Sequence, residues 1–201
     1  MEQTVFVVDD DAALRDSILW LLEAHGHRVA LHESAEAFLA AGSESRPGCL
    51  LLDVRMPGMG GQALYDTLLE RGNRMPVVFI TGHGDVPMAV AAVKKGAVDF
   101  IEKPFAEGEL LGLVAHCLAL DAERRQETAA AATLAARLAT LTPREREVLD
   151  LIVAGKLNKV IADRLAISPK TVEVHRSRVM EKMGVRSVAE LVQAVLAGRA
   201  G

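Results

Sequence analysis

Val5-Phe6-Val7-Val8-Asp9-Asp10-Asp11 decides the fold. A short, wholly apolar, mostly β-branched run halts on three carboxylates. That pattern fits a strand buried on both faces of a sheet, ending in a turn. The same grammar recurs downstream: Arg28–Leu31, Cys49–Leu52, Val77–Ile80 and Val98–Ile101 are short aliphatic runs bounded by Asp, Gly or Pro. Between them, Ala13–Ala24, Ala35–Ala41, Gln62–Arg71, Val86–Lys95 and Glu107–Leu120 carry helical periodicity. Five strands alternating with five helices imply an α/β domain with a five-stranded parallel sheet doubly wound by right-handed crossovers, for which the flavodoxin-like order 2-1-3-4-5 is a common arrangement.

The chain has 201 residues and a formal charge of −4, an average that hides a division. Residues 1–120 hold 9 Lys/Arg against 17 Asp/Glu, a net of −8. Residues 121–201 hold 14 against 10, a net of +4, and all of that excess lies within 141–201. Opposite charge in the two parts of one chain points to two modules with different partners. No stretch approaches the roughly 18 uninterrupted apolar residues of a membrane span. Met1-Glu2-Gln3-Thr4 lacks the basic start of a secretory signal, so a cytoplasmic protein is expected. Cys49 and Cys117 stand apart with no ligand-like spacing, which suits buried reduced thiols better than a disulfide framework or a zinc site.

Residues 121–140 contain no Pro or Gly and are rich in Ala, Glu and Arg, so the segment reads as a helical linker, continuous with the helix before it. Leu134, Leu138 and Leu141 make a short apolar stripe along it. From Leu141 the strands cease and four short helices follow. Thr142-Pro143-Arg144-Glu145 supplies a cap, a proline at the first helical position and a capping-box glutamate, and Gly155 ends that helix. Asn158–Leu165 makes the second, Ser168-Pro169 opens a third that runs to about Met183, and Ser187–Leu196 makes the fourth. The organisation is thus 1–120, an α/β module; 121–140, a linker; and 141–201, an all-α four-helix module.

Asp9, Asp10, Asp53, Thr81 and Lys103 all fall where strands end, the edge at which open α/β sheets bind ligands. With strands one and three adjacent, Asp9, Asp10 and Asp53 converge, and three carboxylates in one pocket call for a cation. Oxygen donors of that kind suit Mg²⁺. A carboxylate can also attack phosphorus, with Lys103 as a fixed cation and the Thr81 hydroxyl as a donor to a phosphoryl oxygen.

These residues lie within Val7-Val8-Asp9-Asp10-Asp11, Leu52-Asp53-Val54-Arg55-Met56-Pro57-Gly58, Ile80-Thr81-Gly82-His83-Gly84 and Phe100-Ile101-Glu102-Lys103-Pro104-Phe105. Together they resemble the receiver domain of bacterial two-component response regulators, with the stretch Thr81–Phe105 similar to the FixJ-type branch. The resemblance implies Asp53 as phospho-acceptor and a Mg²⁺ held by Asp9, Asp10, Asp53 and the Arg55 carbonyl. It makes Thr81 and Phe100 a switch pair and Lys103 the phosphate-pairing lysine, joined to Pro104 by a cis bond. Asp11 is an extra acid beside the metal, and His83 is read as a solvent-facing loop residue.

In the third C-terminal helix, Val172, Val179 and Met183 share one stripe, while Lys170, Val174, Ser177 and Glu181 lie opposite with Arg178 alongside. An apolar Val174 on a polar outer face suits a thymine methyl in a major groove. Lys159, Lys170, His175, Arg176, Arg178 and Lys182 are candidate phosphate contacts. Leu141–Leu149, Asn158–Ala162 and Ser168–Arg176 resemble the LuxR-type helix-turn-helix domain, with the motif over 158–177 and the recognition helix from Pro169. That resemblance adds Thr171, Glu173, Val174 and Ser177 to the DNA-facing set.

The two resemblances imply a phosphorylation-activated transcriptional regulator rather than an enzyme in the usual sense. It would take its phosphoryl group from a sensor histidine kinase, dimerise in that state and bind double-stranded DNA, with RNA polymerase a further contact. The rival is an aspartate-dependent phosphatase, because Asp9-x-Asp11 resembles the start of haloacid-dehalogenase-type enzymes. Ala13 stands where that motif wants Thr, and no acidic pair follows the lysine.

Overall fold

The computed structural model describes residues 2–82 and 86–199. Its elements run β1 (Thr4–Val8), α1 (Ala12–Ala24), β2 (Arg28–His32), α2 (Ala35–Ala40), β3 (Gly48–Asp53), α3 (Gly61–Glu70), β4 (Val77–Thr81), α4 (Val86–Lys94), β5 (Asp99–Glu102) and α5 (Glu107–Ala139). Four helices follow: α6 (Pro143–Val153), α7 (Asn158–Leu165), α8 (Pro169–Met183) and α9 (Val188–Arg199). One element escapes the sequence periodicity, a single 3-10 turn at Ser43–Ser45. The chain divides into two compact units, Met1–Arg125 and Gln126–Gly201.

The first unit is a five-stranded parallel sheet of order β2-β1-β3-β4-β5. Strand alternation sorts its side chains to two faces. Phe6, Val8, Leu50, Leu52, Val77 and Phe79 meet Phe38 of α2, Leu64 and Leu68 of α3 and Ala92 of α4. Val5, Val7, Leu51, Val78, Ile80 and Ile101 meet Ile18 and Leu22 of α1 and Leu110 and Val114 of α5. The central strands β1, β3 and β4 are almost wholly apolar because helices cover both faces, while the edge strands carry Arg28, His32, Asp99 and Glu102; each fully buried aliphatic side chain contributes about 1.5–3 kcal/mol. Cys49 and Cys117 are both buried free thiols in the second of these clusters.

Helix α5 does not stop at Leu120 but runs on to Ala139, so the whole Pro- and Gly-free segment is helical. Within the first unit Asp121 fastens it to the sheet: the buried carboxylate accepts from the Gly48 N–H at 2.9 Å and from Gln3 Nε2 at 3.2 Å, and pairs with Arg125. Leu134, Leu138 and Leu141 pack against the core of the second unit, which settles where their stripe rests.

That second core joins Val148, Leu149 and Ile152 of α6, Ile161 of α7, Val172, Val179 and Met183 of α8, and Leu191 and Val195 of α9. Caps fix the helix starts as the sequence foretold. Thr142 and Glu145 form a reciprocal capping box on α6, and the Ser168 hydroxyl accepts from the Thr171 N–H at 3.1 Å on α8. The turn between α7 and α8 passes through Ala166 at φ 50°, the one described non-glycine residue with positive φ. A Cβ in that conformation costs about 1–2 kcal/mol, partly offset because glycine loosens the unfolded chain. Ala166→Gly is therefore expected to stabilise the second unit by about 0.5–1 kcal/mol, read by urea denaturation.

Candidate functional site

Parallel pairing of Val8 with Leu52 brings the residue after β1 beside the last residue of β3. Asp9 and Asp53 are both buried there, and Asp10 and Asp11 are exposed. Lys103, just past β5, reaches between the two buried acids, with Nζ 2.8 Å from Asp9 Oδ2 and 2.7 Å from Asp53 Oδ1. Its own N–H donates to the Thr81 carbonyl at 2.8 Å, which ties the lysine to the end of β4. The Lys103-Pro104 bond is cis, as expected.

Each carboxylate oxygen of the pair has a partner. Asp53 Oδ2 accepts from the Arg55 N–H at 2.7 Å, and Asp9 Oδ1 accepts from the Asp11 N–H at 2.8 Å. Burial pushes the Asp53 carboxyl above its usual range and the Asp9 charge adds to this, against the Lys103 ammonium and the Arg55 N–H. Burial alone would lower Lys103, but its bonds to Asp53 and Asp9 outweigh that and hold the ammonium above its ordinary value. Asp9 is wholly closed off and bound on both oxygens, whereas the Asp53 side chain keeps 9% of its surface open. The nucleophile required by the phosphatase reading is thus the less accessible acid.

Thr81 is buried at the end of β4, and its hydroxyl donates to the Gly82 carbonyl at 3.2 Å. Phe100 is half-buried on β5 and packs on the first core cluster. Asp11 caps α1, its carboxylate accepting from the Ala13 and Leu14 N–H groups at 2.9 and 3.3 Å, so its place beside the site is that of a helix cap. His83 lies outside the described residues. Two further residues hold the pocket in shape. Arg15 Nη1 donates to the Asp9 carbonyl at 2.6 Å, and Glu36 Oε1 accepts from the Met59 N–H at 2.9 Å, pinning the loop after Asp53. Only the first is signalled in the sequence, by an arginine on the first turn of α1. Gly61 follows that loop without a side chain because a Cβ there would fall 2.0 Å from the Asp53 carbonyl oxygen.

The candidate ligands in this pocket are all oxygens, with the carboxylates of Asp9, Asp10 and Asp53 gathered around one ammonium. That donor set fits a hard divalent cation. Among the described residues no three His, Cys, Asp or Glu side chains close into a ready cage, because Lys103 already sits between Asp9 and Asp53.

In the second unit, α8 buries Val172, Val179 and Met183 and exposes Lys170, Glu173, Val174, Ser177 and Arg178, with Val174 46% exposed. Lys159 on α7 is exposed as well. Other residues grouped with these by the sequence turn aside. Thr171 is half-buried and bonds Ser168 Oγ at 2.8 Å. His175 is half-buried, with Nδ1 enclosed and lacking a hydrogen-bond partner, and Arg176 leans into a groove with Lys156, Leu157, Asn158 and Val188.

Lys182 has a partner inside its own unit. Its ammonium lies 2.6 Å from the buried Glu145 carboxylate and 3.0 Å from the Thr140 carbonyl, so the packing of α6 against α8 has already engaged it. The same ammonium, with the Thr142 N–H, holds the Glu145 carboxyl below its usual range.

Two family models match the chain: "Response regulator receiver domain" over residues 5–115 and "Bacterial regulatory proteins, luxR family" over residues 139–195. The "Transcriptional regulatory protein FixJ" of Azorhizobium caulinodans is 49% identical over 195 residues, 96% of this chain and 92% of that one. Among solved structures, the response regulator StyR is similar with a TM-score of 0.89 and 45% identity, covering 97% of this chain and 98% of that one. Full-length FixJ from B. japonicum is similar with a TM-score of 0.62 and 42% identity, covering 100% and 99%.

Because Glu145 titrates low in the folded chain, its pairing adds stability above the ordinary glutamate value and loses it as pH falls through the lowered one. Glu145→Gln is expected to cost about 1–3 kcal/mol at pH 7. The gap to the parent should close on acidification, as urea midpoints at a series of pH values will read.

Proposed function

The chain belongs to the bacterial two-component response regulators, with a receiver domain and a LuxR-family output domain, and from that premise we propose how its residues carry a phosphorylation-activated transcriptional switch. The receiver spans 1–120, residues 121–140 form the helical linker, and 141–201 form the DNA-binding domain. It is a transcription factor rather than an enzyme of the usual kind, and it acts where the chromosome is, in the cytoplasm. Among the described residues no helix is long and apolar enough to cross a membrane.

The observation that carries the reading is the buried Asp53 carboxylate, open on one side and bonded to Lys103 and Arg55. A sensor histidine kinase presents a phosphohistidine. Asp53 forms the new O–P bond as the N–P bond breaks, and the kinase imidazole keeps the electron pair and takes up a proton. Asp9, Asp10, Asp53 and the Arg55 carbonyl would hold Mg²⁺, which when bound offsets the phosphoryl charge. Lys103 exchanges the Asp53 carboxylate for a phosphoryl oxygen without moving far. Thr81 gives up a long bond to the Gly82 carbonyl and donates to the phosphoryl group instead, and Phe100 follows inward.

That exchange biases α4 and β5. Gln62 on α3 donates to the Met88 carbonyl at 2.7 Å, so α4 is held to its neighbour by bonds that a small shift can alter. Moving a population from 1:99 to 99:1 takes about 5.5 kcal/mol, which phosphorylation shares with dimerisation. A symmetric dimer then places two α8 helices in successive major grooves, about 34–36 Å apart. Lys159, Lys170 and Arg178 meet phosphates, while Glu173, Val174 and Ser177 face base edges. RNA polymerase is the natural further partner of such a dimer.

Acetyl phosphate with Mg²⁺ is expected to label the chain at Asp53 and to raise its mass in solution to that of a dimer. Asp53→Asn should take no label, and chelation of the metal should block labelling of the parent. A labelled Asp53→Asn chain would overturn the assignment. In gel shifts on DNA selected by the phosphorylated protein, Val174→Ala and Lys170→Ala should each weaken binding by roughly 1–3 kcal/mol.

A further inference from the structure

Apolar packing holds α8 in the second unit through Val172, Val179 and Met183, but such contacts have no direction. Where a helix lies along its own axis is set by directional bonds at its ends. At its start, α8 is capped locally by Ser168. At its far end the bonds reach other elements. The Lys182 ammonium meets Glu145 of α6 and the Thr140 carbonyl, and the Met183 carbonyl accepts from Arg137 Nη1 at 2.6 Å. The first of these runs through a flexible side chain of α8, whereas the Met183 carbonyl belongs to the backbone and moves only with the helix.

The last carbonyls of a helix have no partner within it. The N–H groups of Gly184 and Val185 take up the Met180 and Glu181 carbonyls, and Arg137 takes up that of Met183. Arg137 stands on the last turn of α5, beside Leu138 and three residues after Leu134, both of which pack on the core of the second unit. Arg146 Nη2 of α6 donates to the Leu138 carbonyl at 3.0 Å and fixes the same turn. The same helix sends Leu110 and Val114 into the receiver core. The recognition helix therefore takes a cap from the linker, from outside the four helices of its own domain.

Gly184 completes the arrangement. Its φ of 62° is left-handed, as the residue after a helix end often is, and a Cβ there would stand 3.1 Å from Arg137 Cζ and Nη1. A guanidinium at this place also meets the negative end of the helix dipole. Met183 lies roughly 14 Å along the helix from Val174, so the bond sits away from the proposed base contacts.

We propose that Arg137 is a positioning residue for DNA recognition. On the DNA-binding reading of α8, from which this follows, the guanidinium fixes the helix along its axis and so sets where Glu173, Val174 and Ser177 meet the base edges. Losing it impairs the reading of sequence rather than attraction to phosphates, which supply the sequence-independent part of affinity.

The full chain, phosphorylated with acetyl phosphate, tests this on DNA selected by the parent and on an unrelated duplex. Arg137 is exposed, so its variants are expected to fold. Arg137→Ala should weaken binding to the selected site about fivefold, the size of one net hydrogen bond. Its affinity for the unrelated duplex and its salt slope should not change. Arg137→Lys keeps a cation and a donor at the helix end and should recover most of the loss. Without DNA, the amides of Gly184 and Val185 should exchange with deuterium about fivefold faster in Arg137→Ala. Equal weakening on both duplexes, with the slope reduced by about 0.9, would make Arg137 a phosphate contact and overturn the proposal. Unchanged affinity for the selected site, or a loss that Arg137→Lys does not restore, would overturn it as well. Unchanged exchange would remove the cap itself. A parent with no preference for any selected DNA would sink the DNA-binding reading and the positioning role with it, while the exchange rates would still decide the cap.

Discussion

The receiver is organised around one electrostatic constraint: acids gathered at one end of a parallel sheet must be countered from within. Lys103 does this by standing between Asp9 and Asp53 at hydrogen-bond distance from both. Everything else in the pocket follows from keeping that arrangement. β1 and β3 must be neighbours, Lys103 must follow β5 closely enough to bond the Thr81 carbonyl, and the loop after Asp53 must be pinned by Glu36 so that the Arg55 N–H meets the carboxylate. On the proposed switch, phosphorylation substitutes one anion for another in front of a lysine that is already in place. The Thr81 hydroxyl bond to the Gly82 carbonyl, at 3.2 Å, is longer than the bonds of Lys103 to the two acids, which suits the switch role proposed for it.

Much of this was legible in the sequence, because strand periodicity and chain order together fix which residues end up at strand tips. Asp9, Asp53, Thr81 and Lys103 need only the order 2-1-3-4-5 to converge. The capping box of α6 and the Ser168 cap of α8 were legible too, since a cap depends on neighbours three residues away. What stayed hidden depends on tertiary reach. Nothing local in Glu36 says that it will hold Met59, and nothing in Asp11 distinguishes a helix cap from a metal-side acid until α1 is seen to begin at Ala12.

Lys182 is the clearest case. On a helical wheel it belongs with the other cations of α8, and its pairing with Glu145 appears only when α6 lies across it. Glu145 in turn completes the capping box with the Thr142 N–H, so one carboxylate serves both the start of α6 and the α6–α8 contact. Such a shared group ties α6 to α8 in a helical domain of about 60 residues, where the core is small.

The internal pairing of Lys182 bears on the ion atmosphere of the proposed DNA complex. Each cation that meets a phosphate releases condensed counterions, and the slope of log affinity against log salt is about −0.9 per contact. With the exposed Lys159, Lys170 and Arg178 as phosphate contacts of the proposed dimer, six contacts would give a slope near −5. Because phosphate contacts carry no sequence information, discrimination on the proposed reading would fall to the groove-facing Glu173, Val174 and Ser177.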